Sequence, residues 1–150
     1  MSSARTLASR LRTAADALVA AIEPIDDDHW HRIPEPGTWS IGKEAEHVAE
    51  AAGYHLWIVR LTIGQKVSSR RPVLERMQMT TALSQREAVD LVRQRVKDGV
   101  RLLLDLTDEQ LEMPTRPPRA NAEILADTID RIMIGHFDTH RVAIEAKLRA

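Results

Sequence analysis

The chain contains no cysteine among its 150 residues. Disulfide bonds, zinc–thiolate sites and a cysteine nucleophile are therefore excluded, and any thiol chemistry needs a thiol supplied by a cofactor or substrate. Neither sign of charge predominates, because 22 acidic and 21 basic side chains give a formal net charge of -1. Such a balance gives no general attraction to nucleic acid or to an acidic membrane, so we expect neither as a partner.

Long apolar runs are also missing from the sequence. No run approaches the roughly 20 apolar residues of a membrane span, and the N-terminus lacks the unbroken apolar core of a signal peptide. We therefore expect a cytoplasmic protein. The sequence shows no internal repeat and no low-complexity tract, and 43% of its residues are hydrophobic, so we expect residues 1–150 to form a single domain.

Apolar residues recur every three or four positions in four segments, which predicts four helices. Helix one carries this pattern over residues 7–22 and stops at Pro24. Helix two begins after Ser40, a plausible N-cap, and runs to about Ile63. The buried face of helix two is predicted to contain two neighbouring lines of side chains: Ile41, Ala45, Val48, Ala52, Val59 and Ile63, and His47, Ala51, Tyr54 and Ile58.

The last two predicted helices follow recognisable start signals. Residues 84–87 read as a capping box, and helix three then continues until near Leu106. After a proline-rich stretch, Asn121 is predicted to cap helix four. The apolar face of helix four is predicted to consist of Leu125, Ile129, Ile132, His136, His140 and Ile144.

Four amphipathic segments without an alternating, strand-like run predict an all-α four-helix bundle. At 1.5 Å per residue, His47 lies roughly 10 Å from the start of helix two, and the pair His136 and His140 lies roughly 20 to 28 Å from the start of helix four. These side chains meet most easily if the two helices run antiparallel. We therefore predict a crossover between helices two and three, in the long segment 64–83.

His136 and His140 are the strongest candidate metal ligands. Their i, i+4 spacing places both imidazoles on one helix face, where they can bind a single ion. Both interrupt an otherwise apolar stripe, and two buried imidazoles without partners would be costly to desolvate. His47 is the candidate third ligand. The alternative is that each histidine is simply tolerated and forms a hydrogen bond with a neighbour.

The other three histidines receive little weight as ligands. His29 and His31 flank Trp30 in a predicted polar loop, where solvated side chains are expected. His55 lies near the buried side of helix two but has no partner at ligand spacing.

Three motifs point to a known family: Gly-Thr-Trp-Ser-Ile at 37–41, Glu-His-Val at 46–48 and Gly-His-Phe-Asp-Thr-His at 135–140. Together they resemble the DinB/YfiT-like metalloenzyme superfamily, and the resemblance covers nearly the whole chain. It implies a four-helix bundle that holds a divalent metal, usually zinc or nickel, through one histidine of helix two and an H-x-x-x-H pair of helix four. The matching positions here are His47, His136 and His140.

The residues that support the ligands do not follow from the resemblance. Many relatives have an acidic or amide residue where Lys43 stands, and often a glutamine near Val142 and Ala143. Several carboxylates are available to orient imidazoles, although a solvated helix face is the expected role for any one of them. These carboxylates are Glu44, Glu46, Asp138 and Glu145.

A divalent ion with three nitrogen ligands keeps an open position, as in catalytic rather than structural sites. Such an ion can lower the pKa of water to about 7 or convert a thiol into a thiolate. The resemblance further implies chemistry with low-molecular-weight bacterial thiols such as mycothiol or bacillithiol. The first expectation is a metal-dependent thiol S-transferase acting on a small molecule in stress response or detoxification.

Two other functions remain open: a metal-dependent hydrolase, and a non-catalytic bundle that binds metal or a small ligand. A homodimer is compatible with each of them. Four arginines in the two long connections can receive a carboxylate or phosphate of a thiol cofactor, with solvated charges as the alternative. They are Arg70, Arg71, Arg116 and Arg119.

Overall fold

The computed structural model describes residues 2–68, 72, 74 and 76–150, and these residues form helices and turns with no β-strand. A 3₁₀ turn precedes the last helical region, and a π-helical segment interrupts that region. None of the helices in this described part of the chain has the length and apolarity that a membrane span needs. The elements are α1 (Ala4–Ile22), α2 (Asp27–His31), α3 (Ile41–Thr62), α4 (Gln85–Leu104), α5 (Asp108–Leu111), the 3₁₀ turn (Ala120–Ala122), α6 (Leu125–Thr128), the π segment (Ile129–Ile134) and α7 (Gly135–Arg149).

The four predicted helices correspond to α1, α3, α4 and the continuous region from α6 to α7, which confirms the all-α bundle. Helix α1 packs against α4 and α7, and α3 packs against the same two helices. Each amphipathic helix thereby removes its apolar face from water, which is the main favourable contribution to folding. Fully buried members of this core include Leu7, Leu11, Leu18, Ile41, Val48, Leu103, Leu125, Ile129 and Ile144.

Two helix starts have the predicted side-chain caps. The Ser40 hydroxyl accepts a hydrogen bond from the backbone N–H of Lys43 at 3.1 Å, so Ser40 is the N-cap of α3. At the start of α4, Ser84 and Glu87 form the predicted capping box. Such caps satisfy backbone donors that the first turn of a helix leaves without intrahelical partners.

The predicted cap of helix four is wrong. Asn121 lies in the 3₁₀ turn with a φ of 62°, and α6 begins only at Leu125, with Ile124 at the N-cap position. The cause is a backbone contact with an earlier segment: the N–H of Leu125 donates to the carbonyl of Met113 at 2.8 Å. This tertiary pairing holds the chain out of helical conformation until residue 124.

The π segment also changes which residues of helix four are buried. Its i→i+5 hydrogen bonds make wider turns than those of an α-helix, so the apolar positions shift along the sequence. Met133 and Phe137 are each 2% exposed, whereas the predicted stripe residue Ile132 is only half-buried. The predicted stripe is therefore correct at Leu125, Ile129 and Ile144, whereas at Ile132 it is wrong.

The predicted polar loop around Trp30 is instead the short helix α2. The carboxylate of Asp26 caps this helix by accepting from the backbone N–H of His29. Trp30 is fully buried, and its indole N–H donates to the carbonyl of Leu83 at 3.0 Å. The indole contacts Gly42 on α3, so α2 closes over the start of α3.

Two other tryptophans contact the connection between α3 and α4. The indole of Trp57 donates to the carbonyl of Ser68, and the indole of Trp39 donates to the carbonyl of Arg76, each at 3.3 Å. Trp57 belongs to α3, and Trp39 directly precedes its N-cap, Ser40. The connection is thereby attached to α3 near both ends of that helix.

The predicted crossover between α3 and α4 stays a prediction. Gly53 lies beside Arg95 and Leu56 lies beside Gly99, which is the order expected for parallel helices. A return of the chain through segment 64–83 would join them. Its path includes residues 69–71, 73 and 75, which lie outside the described residues.

Two glycines of α3 provide a matched test of this packing. A Cβ at Gly42 would lie 2.6 Å from Thr81 and 2.7 Å from the indole of Trp30, whereas a Cβ at Gly53 would meet only the Arg95 side chain, at 3.5 Å. We expect Gly42→Ala to lower the free energy of unfolding by about 1–3 kcal/mol through overpacking. Gly53→Ala should raise it by about 0.5–1 kcal/mol, because alanine restricts the unfolded chain. Urea denaturation measures the free energy of unfolding of both variants. Equal effects of the two substitutions would contradict the close contact at Gly42.

Candidate metal centre

The candidate centre lies between α3 and α7, which run antiparallel. Near the start of α3, Glu44 contacts Lys147 near the end of α7. Further along α3, His55 contacts His136 near the start of α7. Because residue numbers rise on one helix as they fall on the other, the early part of α3 faces the later part of α7, as predicted from the positions of the histidines.

The structure brings the three predicted ligands together. His47, His136 and His140 can each offer one ring nitrogen, and these atoms all lie within 4.8 Å of one another. The ring centroids are 4.3 to 5.0 Å apart. Nitrogens bound to one zinc ion at about 2.1 Å are separated by roughly 3.4 Å, so small movements suffice to enclose an ion. The cluster can therefore hold a divalent metal.

Burial keeps two of these imidazoles neutral. Desolvation, assisted by the nearby His140, lowers the pKa of His47 to about 4 and that of His136 to about 3. Nδ1 of His47 and Nε2 of His136 are buried and have no hydrogen-bond partner among the described residues. A neutral imidazole is the form that binds metal, and an unpartnered buried nitrogen is costly. The donor set therefore fits a cation.

His140 is oriented by Glu44. Nδ1 of His140 lies 2.5 Å from Oε2 of Glu44, and Lys147 donates to the other carboxylate oxygen at 2.8 Å and to the carbonyl of Trp39 at 2.6 Å. Burial raises the pKa of Glu44, but the hydrogen bonds from His140 and Lys147 outweigh it, and the pKa lies below its usual value. The ionised carboxylate accepts the Nδ1 proton of His140 and leaves Nε2 free for a metal.

The expectation that Glu44 would be solvated is therefore wrong, since Glu44 is 7% exposed. The other candidate carboxylates pair with cations instead of imidazoles. Glu46 lies 3.3 Å from the fully buried Lys43. Asp138 and Glu145 form ion pairs with Arg141 on the surface of α7.

His55 lies outside the three-histidine group but next to it. It is 7% exposed, and its ring lies 5.4 Å from that of His136. Burial, followed by the charge of Arg119, lowers the pKa of His55 to about 4. By contrast, the side chains of His29 and His31 are 43% and 44% exposed and pair with neighbouring aspartates.

Helical spacing already contained a signal for Glu44, His55 and Lys147. Glu44 precedes His47 by three positions, and His55 follows His47 by eight, so all three share one side of α3. Lys147 follows His140 by seven positions, two turns along the same side of α7. These spacings place the residues on one face but do not say what that face contacts.

Two of the four arginines predicted to bind an anion belong to the described part of the chain, and these two differ in exposure. Arg70 and Arg71 lie outside the described residues. Arg116 is exposed, and its backbone N–H donates to Thr62. Arg119 is half-buried, and its Nε has no hydrogen-bond partner among the described residues.

The buried imidazoles predict a dependence of stability on pH for the metal-free protein. An unfolded histidine has a pKa near 6.5, whereas His47, His55 and His136 have values of about 4, 4 and 3 in the fold. As the pH falls from about 6.5 to 4, the unfolded state binds protons that the folded state does not, so the free energy of unfolding should fall. His47→Gln should make this slope shallower by up to about 1 kcal/mol per pH unit.

Urea denaturation between pH 4 and pH 7 measures this slope. His31→Gln is the control, because His31 is exposed. A slope that His47→Gln leaves unchanged would show that His47 titrates normally in the folded protein.

Comparison with known proteins places the chain in a family. An uncharacterized protein from Clostridium difficile 630 has a similar structure, with a TM-score of 0.78, 12% sequence identity, and coverage of 99% of this chain and 97% of the other. At this identity the likeness concerns the fold alone. No curated protein matches the chain. The family model of the DinB superfamily matches residues 10–141, so the chain belongs to the DinB superfamily.

Proposed function

We propose that His47, His136 and His140 bind one zinc or nickel ion per chain, and that this centre catalyses S-transfer with a low-molecular-weight thiol of the mycothiol or bacillithiol type. The observation that carries the proposal is the close approach of three ligand nitrogens from two helices, within 4.8 Å of one another. The absence of cysteine supports an external thiol. The biological setting would be stress response or detoxification of a small molecule.

The side chains at this centre would have different roles. Three imidazoles supply neutral nitrogen donors and leave at least one position for a substrate. Glu44 orients His140, while Lys147 donates to the same carboxylate and to the carbonyl of Trp39, which connects the end of α7 to the start of α3. A divalent cation held there would lower the pKa of a bound thiol, so that the sulfur reacts as thiolate at neutral pH.

The first test of this proposal is the metal content of the protein. We expect about one equivalent of zinc or nickel in protein purified without an affinity tag that binds metal, measured by elemental analysis. Ala in place of His47, His136 or His140 should largely abolish binding, because two imidazoles neither neutralise the ion nor fix its geometry. An anomalous-scattering map would locate the ion.

The matched controls for metal content are His29→Ala and His31→Ala, whose imidazoles pair with aspartates at the surface. Chelation should also lower the melting temperature of the wild type, because a ligand that binds only the folded state stabilises it. Full metal occupancy in any of the three ligand variants would refute the assignment.

The second test of this proposal is catalysis. An electrophile such as monobromobimane should react faster with mycothiol or bacillithiol when the metal-loaded protein is present than with thiol alone. The acceleration should disappear in His140→Ala. Above the pKa of the bound thiol the rate should stop rising with pH, because the nucleophile is already ionised.

The alternatives predict different outcomes of the same assays. Hydrolysis of ester or amide substrates without any metal-dependent thiol reaction would identify a hydrolase. Metal binding with neither activity would identify a binding bundle. The cytoplasmic location also stays a prediction, and cell fractionation would test it. The homodimer stays a prediction that light scattering would test.

A further inference from the structure

His55 is a buried histidine next to the metal centre that the proposed ligand set does not use. Its ring is nearly perpendicular to that of His136, at 87°, with the centroids 5.4 Å apart. Among the described residues, the ring of His55 contacts that of His136 but not those of His47 and His140.

Nδ1 of His55 is buried and has no hydrogen-bond partner among the described residues. The small cavity beside His55 has a mostly apolar lining, which includes Ile58, Ile129 and Met133. Its one hydroxyl, that of Thr128, already bonds to Thr115 and Glu123. An unmade hydrogen bond at this depth is costly, so Nδ1 should have a partner in the functional protein.

His136 offers such a partner. A metal uses one of its ring nitrogens, and metal-binding histidines almost always use the other in a hydrogen bond that fixes the ring. A neutral imidazole has one donor and one acceptor, so two imidazoles can pair without gaining a proton. A hydrogen bond of about 3 Å between ring nitrogens would separate the centroids by roughly 5 Å, close to the observed spacing.

We propose that His55 is a positioning residue for His136: its Nδ1 shares a hydrogen bond with the His136 nitrogen that does not bind the metal. His55 thus does for His136 what Glu44 does for His140. The metal-related part of this inference rests on the proposed function, whereas the pairing of the two imidazoles does not.

Two substitutions at position 55 separate the hydrogen bond from packing. Phe keeps a planar ring but removes both nitrogens, and Asn keeps a polar atom near the position of Nδ1. In competitive zinc titrations, His55→Phe should weaken binding by about 10- to 100-fold, the usual loss when an outer partner of a ligand is removed. His55→Asn should retain affinity to within a few-fold of the wild type.

Arg119→Gln is the control for charge, because the Arg119 cation also acts on His55. Removing a cation near the centre should not weaken zinc binding. A loss in Arg119→Gln as large as that in His55→Phe would show that Arg119, rather than His136, is the partner of His55, and would overturn the proposal. Unchanged zinc affinity in His55→Phe would overturn it as well.

A second readout in the zinc-free protein separates this inference from the proposed function. Nitrogen-detected NMR of the histidine rings should show a slowly exchanging imidazole proton shared by residues 55 and 136, which is lost in His55→Phe and in His136→Ala. If this signal is present but the wild type binds no metal, the proposed function fails and the pairing stands. If the wild type binds metal and the shared proton is absent in both the zinc-free and the zinc-loaded protein, the pairing fails and the metal centre stands.

Discussion

The packing of α3 against α7 removes four imidazoles and one carboxylate wholly or partly from water, and each of these polar groups needs a partner to offset that cost. Glu44 is where this cost is best compensated, because its two oxygens accept hydrogen bonds from His140 and Lys147. Lys147 also donates to the carbonyl of Trp39. A continuous polar chain therefore joins the start of α3 to the last turns of α7 and sets the orientation of His140 before any ligand binds.

The other two members of the histidine cluster are less well compensated. His47 and His136 each have a buried nitrogen without a partner among the described residues, and burial lowers the pKa of both side chains. A cluster with one oriented imidazole and two unsatisfied ones is suited to gaining stability from a cation. Protonation of these imidazoles would oppose both metal binding and folding. Metal affinity and fold stability should therefore both depend on pH.

Irregular structure surrounds the centre on two sides. The π segment ends at Ile134, two positions before His136, and such segments often occur at functional sites. On the other side, the indole of Trp39 packs 4.9 Å from the ring of His47 and donates to the carbonyl of Arg76. The connection between α3 and α4 is thus attached next to a candidate ligand. The positive charge of Arg76 contributes to lowering the pKa of both His47 and His136.

The sequence alone determined the features that depend on neighbours within one helix. Period and capping residues located the four helices, including the starts at Ser40 and Ser84, and the i, i+4 spacing placed His136 and His140 on one face. Covalent geometry along a single helix is enough for these predictions. The family motifs then added His47 as the third member.

Only the tertiary structure decided which groups meet across helices. Glu44 and His140 are 96 positions apart, so no local pattern in the sequence shows that this carboxylate meets that imidazole, whereas Glu46 pairs with a lysine. The proximity of His55 to His136 and the late start of α6 likewise depend on contacts between different segments. Spacing along a helix identifies a face, but only the neighbouring helix decides whether that face meets water, an apolar core or another imidazole.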